Sequence, residues 1–382
     1  MDWATSESCL TIPPFERQGI HFAIAGPEDD ADVREILREV SMDGWVKVSM
    51  TREPEMSLAH RALGQFGEFL ILREVASGKA ICIGEYHTSS LFLNGIASTV
   101  PYIGALRVVP KWRNRISILR NGLDMVRQLQ DVRGDPSFML TSIAAENTRA
   151  NRLLTANLAG MPNYHFIGRV VTLVLPVSRG RPSEEARPAN KEDLPVISAA
   201  LCEAGKQTQF MPVWDQKNLL QLTANSDLDL KDFRVMENDG KMTGALAVWD
   251  QRGFRQVLVN GYSPWVSRLR PVYNAFARIR RGPSLPRMGT ALSQVTLSHF
   301  LSPTRETEAI DLVSEGLTLA REKGAETALL GLSADHPMLR VLRDHFRALT
   351  FETNLYLVSW KSGPPPPQLD TSRMLAPEAA VL

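Results

Sequence analysis

The sequence is short of everything that marks a secreted, membrane-spanning or metal-built protein. Its three cysteines, Cys9, Cys82 and Cys202, are scattered over 382 residues, which gives neither a disulfide framework nor a metal-ligand cluster and suits a reducing compartment. Long apolar runs are missing: VVTLVLPV, at Val170–Val177, is far below the ~20 residues that cross a bilayer as a helix. The opening residues MDWATSESCLTIPPFERQG have no basic stretch and no apolar core, so no signal peptide is expected and a cytoplasmic location is. An excess of charge is absent too. With 43 Lys and Arg against 42 Asp and Glu, the formal net charge is +1, no footprint of a dedicated nucleic-acid or polybasic membrane-surface protein. Neither G-x-S-x-G nor G-x-x-x-x-G-K-S/T occurs, so a serine-hydrolase elbow and a Walker site find no support. His299, His336 and His345 share no ligand spacing with a cysteine pair, and no metal is expected.

What is present is an ordinary globular composition, 44% hydrophobic and 22% charged, in a chain long enough for two or three domains. From Ile20 a strand leads into helical spacing at Val33, Ile36, Leu37 and Val40. Two apolar runs around Ser77-Gly78 read as a hairpin, and PYIGALRVV follows as a strand after a less regular stretch at 88–100. A helix from Ile116, a strand FMLTSIAA, a helix closed by Gly160 and a last strand FIGRVVTLVLPV complete an order βαβββαβαβ. The Pro-, Arg- and Glu-rich segment 178–191 reads as a linker. The order then repeats, most clearly where ETALLGLSADHPMLRVL can be laid over FMLTSIAAENTRANRLL. The division predicted is an N-terminal extension 1–19, a first domain 20–177, the linker 178–191, a second domain 192–361 and an unstructured or extended Pro-rich tail 362–382.

The segment YIGALRVVPKWRNRISILRNGLDMVRQL resembles the acyl-CoA-binding strand–loop–helix of the GCN5-related N-acetyltransferase (GNAT) superfamily, through Leu106, Val108, Pro110 and Arg113. ENTRANRLLTANLAG resembles its next segment, through Asn147, Ala150, Leu153 and Gly160. The resemblance implies an α/β (α+β) protein of two tandem GNAT-like domains, each a mixed, mostly antiparallel sheet flanked by helices. It also implies acetyl-CoA or another acyl-CoA as co-substrate. A helix N-terminus offers unpaired amides and a positive dipole end to pyrophosphate. The residues implied are Arg113, Asn114, Arg115, Ile116, Ser117 and Ile118 at the phosphates, Leu106, Arg107 and Val108 along the strand, and Asn147 and Arg149 beside the pantetheine arm. Ile116 and Ile118 stand where the family has glycines. In the second copy, LSPTRETEA carries Pro303, Glu306 and Glu308 at the matching loop, and that half is expected not to bind CoA.

Acyl transfer to an amine needs the amine neutral and the leaving thiolate protonated. At the position of the family's acidic tyrosine this chain has Leu154, and at that of its glutamate base it has Tyr102. The catalytic candidates are therefore Tyr102, the strand-end residues Glu85 and His87, and Tyr164 just past the helix. Solvated polar ends or packing residues are the plainer readings of all four. Acceptor contacts are expected at 88–100 and at 205–225, with Phe210 and Trp214. The basic run SRLRPVYNAFARIRRG reads as a helix with a solvated basic face or one that meets an acidic partner. The function expected is N-acyl transfer, acetyl from acetyl-CoA, to a small-molecule, peptide or protein amine. No nucleic acid or membrane is expected as a partner, and the chain is expected as a monomeric pseudo-dimer or a homodimer. The alternative is a catalytically inactive acyl-CoA sensor or protein-interaction module.

Overall fold

The computed structural model describes residues 10–42, 44–63, 66–279 and 284–382. Its first half runs β1 (Phe15–Arg17), β2 (Ile20–Ile24), α1 (Asp30–Glu39), β3 (Val46–Thr51), α2 (Leu58–Leu63), β4 (Phe66–Glu74), β5 (Ala80–Leu93), β6 (Ile96–Val108), α3 (Ile116–Arg133), β7 (Phe138–Ala144), α4 (Thr148–Leu154) and β8 (Asn163–Pro176). The second runs β9 (Ala186–Pro188), α5 (Asp193–Lys206), α6 (Gln216–Asn225), β10 (Phe233–Asn238), β11 (Lys241–Trp249), β12 (Gln256–Tyr262), α7 (Pro264–Ile279), β13 (Gln294–Leu301), α8 (Glu306–Glu322), β14 (Thr327–Ser333), α9 (Met338–Phe346) and β15 (Leu349–Ser359). Among the described residues, no helix is long and apolar enough to cross a membrane.

Thirteen strands form one sheet in the order β1-β2-β4-β5-β6-β7-β15-β8-β14-β13-β11-β10-β9, while β3 and β12 make a separate two-stranded ribbon. Among the described residues, only β6–β7 and β13–β14 are parallel pairs of the large sheet. The repeat legible in the sequence is real in topology: β4-β5-β6-α3-β7-α4-β8 corresponds to β10-β11-β13-α8-β14-α9-β15, with β12 and α7 inserted. Even an irregularity recurs. The β6 register slips opposite Ile83 and Glu85 at Ala105, φ 46°, and the β13 register slips opposite Ala245 and Ala247 at His299, φ 53°. Both are bulges with a residue in left-handed backbone.

The last strands are exchanged between the halves. β15 pairs with β7 from Thr353↔Ala144 to Ser359↔Phe138, and β8 pairs with β14 from Thr327↔Pro176 to Ser333↔Val170. The exchanged strands meet at the middle, Leu349↔Val174 through Ser359↔Asn163. On one face of the first half, α3 buries Ile118, Leu119, Leu123, Met125, Val126 and Leu129 against Phe22, Leu72, Met139 and Val358. These positions recur at helical spacing, and Gly134, φ 67°, ends the helix in the left-handed conformation glycine favours. On the other face α1 packs Val33, Ile36 and Leu37 on Phe69, Ile71 and Ile83. In the second half α8 and α9 cover one face, and α5 and α6 the other.

Several expectations need correction. Residues 88–100 are not irregular: β5 and β6 continue as one hairpin through Asn94-Gly95, φ 52° and 83°. That dipeptide is a tight-turn signal in its own right. Of the extension 1–19, residues 1–9, Cys9 included, lie outside the described residues, while Phe15–Arg17 is an edge strand on β2. The linker 178–191 contributes β9 to the far edge. The Pro-rich segment 362–382 is no loose tail. Leu375 bridges to Gln209, Met374 O accepts from Gln209 N at 2.9 Å, and Ala380 is 1% exposed. Proline runs resist helix and sheet, yet they still bury side chains when neighbouring backbone supplies the hydrogen bonds.

Because β15 joins β7 to β8, and β8 in turn pairs with β14 of the second half, damage to β15 should be felt in both halves together. Leu355→Ala removes a fully buried side chain there and should cost about 2–5 kcal/mol. Urea unfolding followed by tryptophan fluorescence and by far-UV circular dichroism should shift to lower midpoints in one coincident transition. Two separated transitions would show that the halves fold independently.

Candidate active site

The parallel strands β6 and β7 are joined at one register pair, Tyr102↔Leu140. Thr141 then bridges them by donating to Ile103 O at 2.7 Å. From Gly104 to Val108 no register pair joins β6 to β7, so the strands splay apart. Beyond the splay the chain turns through Pro110–Trp112 into α3, whose N-terminus has no side-chain cap. Here the implied cofactor residues come together. Arg113 Nε donates to Val108 O at 3.1 Å, and Arg149 Nη2 donates to Asn114 Oδ1 at 2.9 Å, tying α4 to the loop. Arg115 lays its guanidinium over the Trp112 ring at 4.2 Å. Asn147 caps α4 by accepting from Ala150 N at 3.1 Å. Ile118 is buried among the core residues with Ile116 packed against it, so the isoleucines point inward rather than across the helix N-terminus.

At the closed end of the splay lies a polar group. Tyr102 hydrogen bonds with Ser142 Oγ at 2.6 Å and stacks on His87 with ring centroids 4.9 Å apart. Glu85, two residues before His87 and so on the same face of β5, is 6% exposed. Its carboxylate accepts from Arg52 Nη2 at 3.2 Å and lies 2.7 Å from His60 Nε2. Desolvation alone would raise the Glu85 pKa, but the Arg52 charge and the His60 contact outweigh it and hold the group well below the usual carboxylate range. Glu85 is thus a fixed anion inside a cationic shell, unsuited to accepting a proton. His87 is pushed down to about 3 by burial and stays neutral. Arg107 and Arg255 are each pushed down to about 10 by burial. Tyr164 is brought elsewhere: it packs at the edge of the α3 core, edge-on to Tyr356, and burial pushes its phenol up.

His60, Glu85 and His87 bring ligand atoms within 4.8 Å of one another. The donor types suit a divalent cation, but Arg52 occupies the carboxylate and Arg255 adds a second positive charge. A guanidinium already does the charge compensation a metal would do.

Sequence reasoning missed half of this group. Arg52 follows β3, His60 is on α2, and Arg255 leads into β12 in the second half. The segment expected as a tail also enters. Arg255 donates to Ala380 O at 3.0 Å and to Leu382 O, and Pro377, Glu378, Val381 and Leu382 close a cavity of about 20 Å³ with His87, Tyr102, Leu140 and Phe210. Phe210 and Pro212 come from the region expected to contact the acceptor, whereas Trp214 is buried beside His299, centroids 4.3 Å apart. Burial pushes the Glu378 carboxyl up to about 7 although its oxygens accept from His299 N and Ala380 N. In the second half the corresponding splay is filled by this same segment: a methyl on Gly331 would collide with Ala379 Cβ.

No protein-family model and no curated protein matches the sequence. Solved structures do. N-myristoyltransferase of Saccharomyces cerevisiae with bound myristoyl-CoA superposes with TM-score 0.59 at 11% identity, covering 96% of this chain and 92% of that one. A GCN5-related N-acetyltransferase from Sphaerobacter thermophilus superposes with TM-score 0.54 at 11% identity, covering 94% and 99%. The chain has a tandem GNAT fold. In these terms the GNAT splay of the second half is occupied by the chain itself.

The burial of His87 has a consequence for acid stability. In the fold it stays neutral down to about pH 3, whereas in the unfolded chain it takes up a proton near 6.5. Between these values the unfolded state binds more protons, so this group's contribution falls as pH falls. His87→Asn should flatten the dependence of unfolding free energy on pH by up to about 1.4 kcal/mol per pH unit in that window. An unchanged slope in urea titrations from pH 7 to 4 would show that His87 is not held neutral.

Proposed function

We propose that the protein is an acyl-CoA-dependent N-acyltransferase whose single working site is the splay of the first half, and that it transfers a short acyl group, acetyl foremost, to an amine. The observation that carries this reading is the opening of β6 from β7 directly beside the uncapped N-terminus of α3. Uncapped helical amides and the arginines around them match a pyrophosphate. A strand edge with unpaired amides matches the amide-bearing pantetheine arm. The fold neighbours that bind myristoyl-CoA or carry the name of acetyltransferase support the same class of chemistry.

The cavity at the closed end receives the acyl group in this reading. Its small volume and its walls of Leu140, Phe210 and Val381 favour a short chain. In the reaction the acceptor nitrogen attacks the thioester carbon, the C–S bond breaks, and CoA leaves as the thiol. Among the polar groups facing the cavity, Glu378 has the protonation behaviour that suits a base at neutral pH, and Tyr102 can donate to developing negative charge. Glu85, with Arg52 and His60, keeps His87 and Tyr102 in place. Cytoplasmic location and the choice between a small-molecule and a peptide amine belong to the same proposal.

Calorimetric titration should show saturable CoA and acetyl-CoA binding that Arg113→Glu abolishes. No binding to the wild-type chain would overturn the acyltransferase reading and leave a fold serving as an interaction module. Given binding, Glu378→Gln should lower kcat by about 10²–10⁴ with little change in CoA affinity and remove a rise of kcat/KM with pH near 7. Phe210→Ala should enlarge the cavity and shift donor preference toward longer acyl chains in competition assays between acetyl- and hexanoyl-CoA.

A further inference from the structure

Helix α7 is held to the molecule by one side. Arg270 lies over the Tyr262 ring at 5.6 Å and donates to Leu285 O at 3.0 Å, Asn274 exchanges two hydrogen bonds with Leu285 at 2.9 Å, and Val266 and Ala277 are buried. The other side carries Trp265, Leu269, Val272, Phe276 and Ile279, which are 52%, 56%, 70%, 51% and 82% exposed. At about 100° per residue these five fall within an arc of about 80°. They form one continuous apolar ridge. Trp45, 70% exposed, extends it by meeting Trp265 edge-on at 5.5 Å.

The ridge is flanked by charge of one sign. Between Pro264 and Met288 the sequence has six arginines and no aspartate or glutamate. Of these, Arg268 and Arg287 are exposed. Glu326, which reaches this segment from before β14, is held by Ser284 N and Oγ at 3.1 and 3.0 Å. We propose that the α7 face docks on the surface of an anionic phospholipid bilayer, with the apolar ridge at the boundary between headgroups and acyl chains and the arginines at the phosphates. Three features select this occupant. A second copy of the chain would bring arginine against arginine. The ridge lies along one exposed helix face, which suits a fluid surface. Paired tryptophans beside arginines are the side chains that partition to the membrane interface. At 16 residues, with arginines along it, α7 lies in that plane and does not cross.

The expectation of no membrane partner rests on net charge and on the absence of long apolar runs, and neither measures the local basic excess in SRLRPVYNAFARIRRG. Docking would also orient the candidate site. The ribbon of β3 and β12 leads from Trp45 and Tyr262 to Arg52 and Arg255, a span of about 23 Å at 3.3 Å per residue.

The test is co-sedimentation of the full chain with vesicles of phosphatidylcholine alone and of phosphatidylcholine with phosphatidylserine, at low and high salt. The expected result is pelleting with the phosphatidylserine vesicles, weakened by salt and weakened by about tenfold or more in Leu269→Ser/Ile279→Ser and in Arg268→Glu/Arg287→Glu. Unchanged circular dichroism shows that the variants fold, and the readout does not depend on acyl transfer. Absence of pelleting, or equal pelleting of the variants, overturns the proposal. So does a concentration-dependent dimer that Leu269→Ser/Ile279→Ser abolishes, which would assign the ridge to a second copy.

Discussion

The pairing of β8 with β15 is the interaction on which the rest depends. Each is the last strand of its own half, and each completes the sheet of the other. A duplicated fold of this kind could have been two beads on a string, with the boundary at the linker. Exchange makes the boundary a matter of sequence only. The pairing joins residues nearly two hundred positions apart, so it is bought late in folding, after the entropy of closing a long loop has been met. Once made, it fixes the relative placement of the halves, and with that the geometry of any group built from both.

The charged cluster around Glu85 is such a group. Arg52 and Arg255 stand at one end of the β3–β12 ribbon, whose strands come from different halves, and both bear on a carboxylate from the central hairpin. Buried ion clusters add little net stability compared with a well-packed apolar core, but a partner missing from one is costly. The cluster therefore acts against any arrangement in which the ribbon is displaced. It also explains why His87 and Tyr102, stacked just beyond it, have so little freedom: one neighbour is a fixed anion and the other is Ser142 on β7.

Much of the fold was legible because its signals are local. Apolar spacing at Ile118, Leu119, Leu123 and Val126 and the stop at Gly134 define α3, and the strand–loop–helix pattern from Leu106 to Arg113 points to the splay. The strand exchange was not legible, since an apolar strand such as FIGRVVTLVLPV reads the same whichever neighbours it has. The site divides similarly. Residues near Arg113 and Asn147 lie within motifs and could be named, as could Tyr102, Glu85 and His87 by their place on strands. Arg52, His60 and Arg255 carry no spacing that links them, and only the three-dimensional path of the ribbon gathers them. Glu378 was lost for another reason: a proline-rich composition hides the fact that the backbone around it, at Met374, Ala376 and Ala380, finds partners on Gln209 and Gln251.

That segment has one more consequence. By lying in the second splay, residues 377–381 act as a ligand tethered to its own receptor. A tethered occupant competes at an effective concentration in the millimolar range, whatever the amount of free ligand outside. Duplication supplied two grooves, and in the proposed reading covalent occupancy of one leaves one groove per chain for a ligand. The spare groove then becomes a mounting point, from which the same segment reaches across the pseudo-symmetry axis and closes the cavity of its twin.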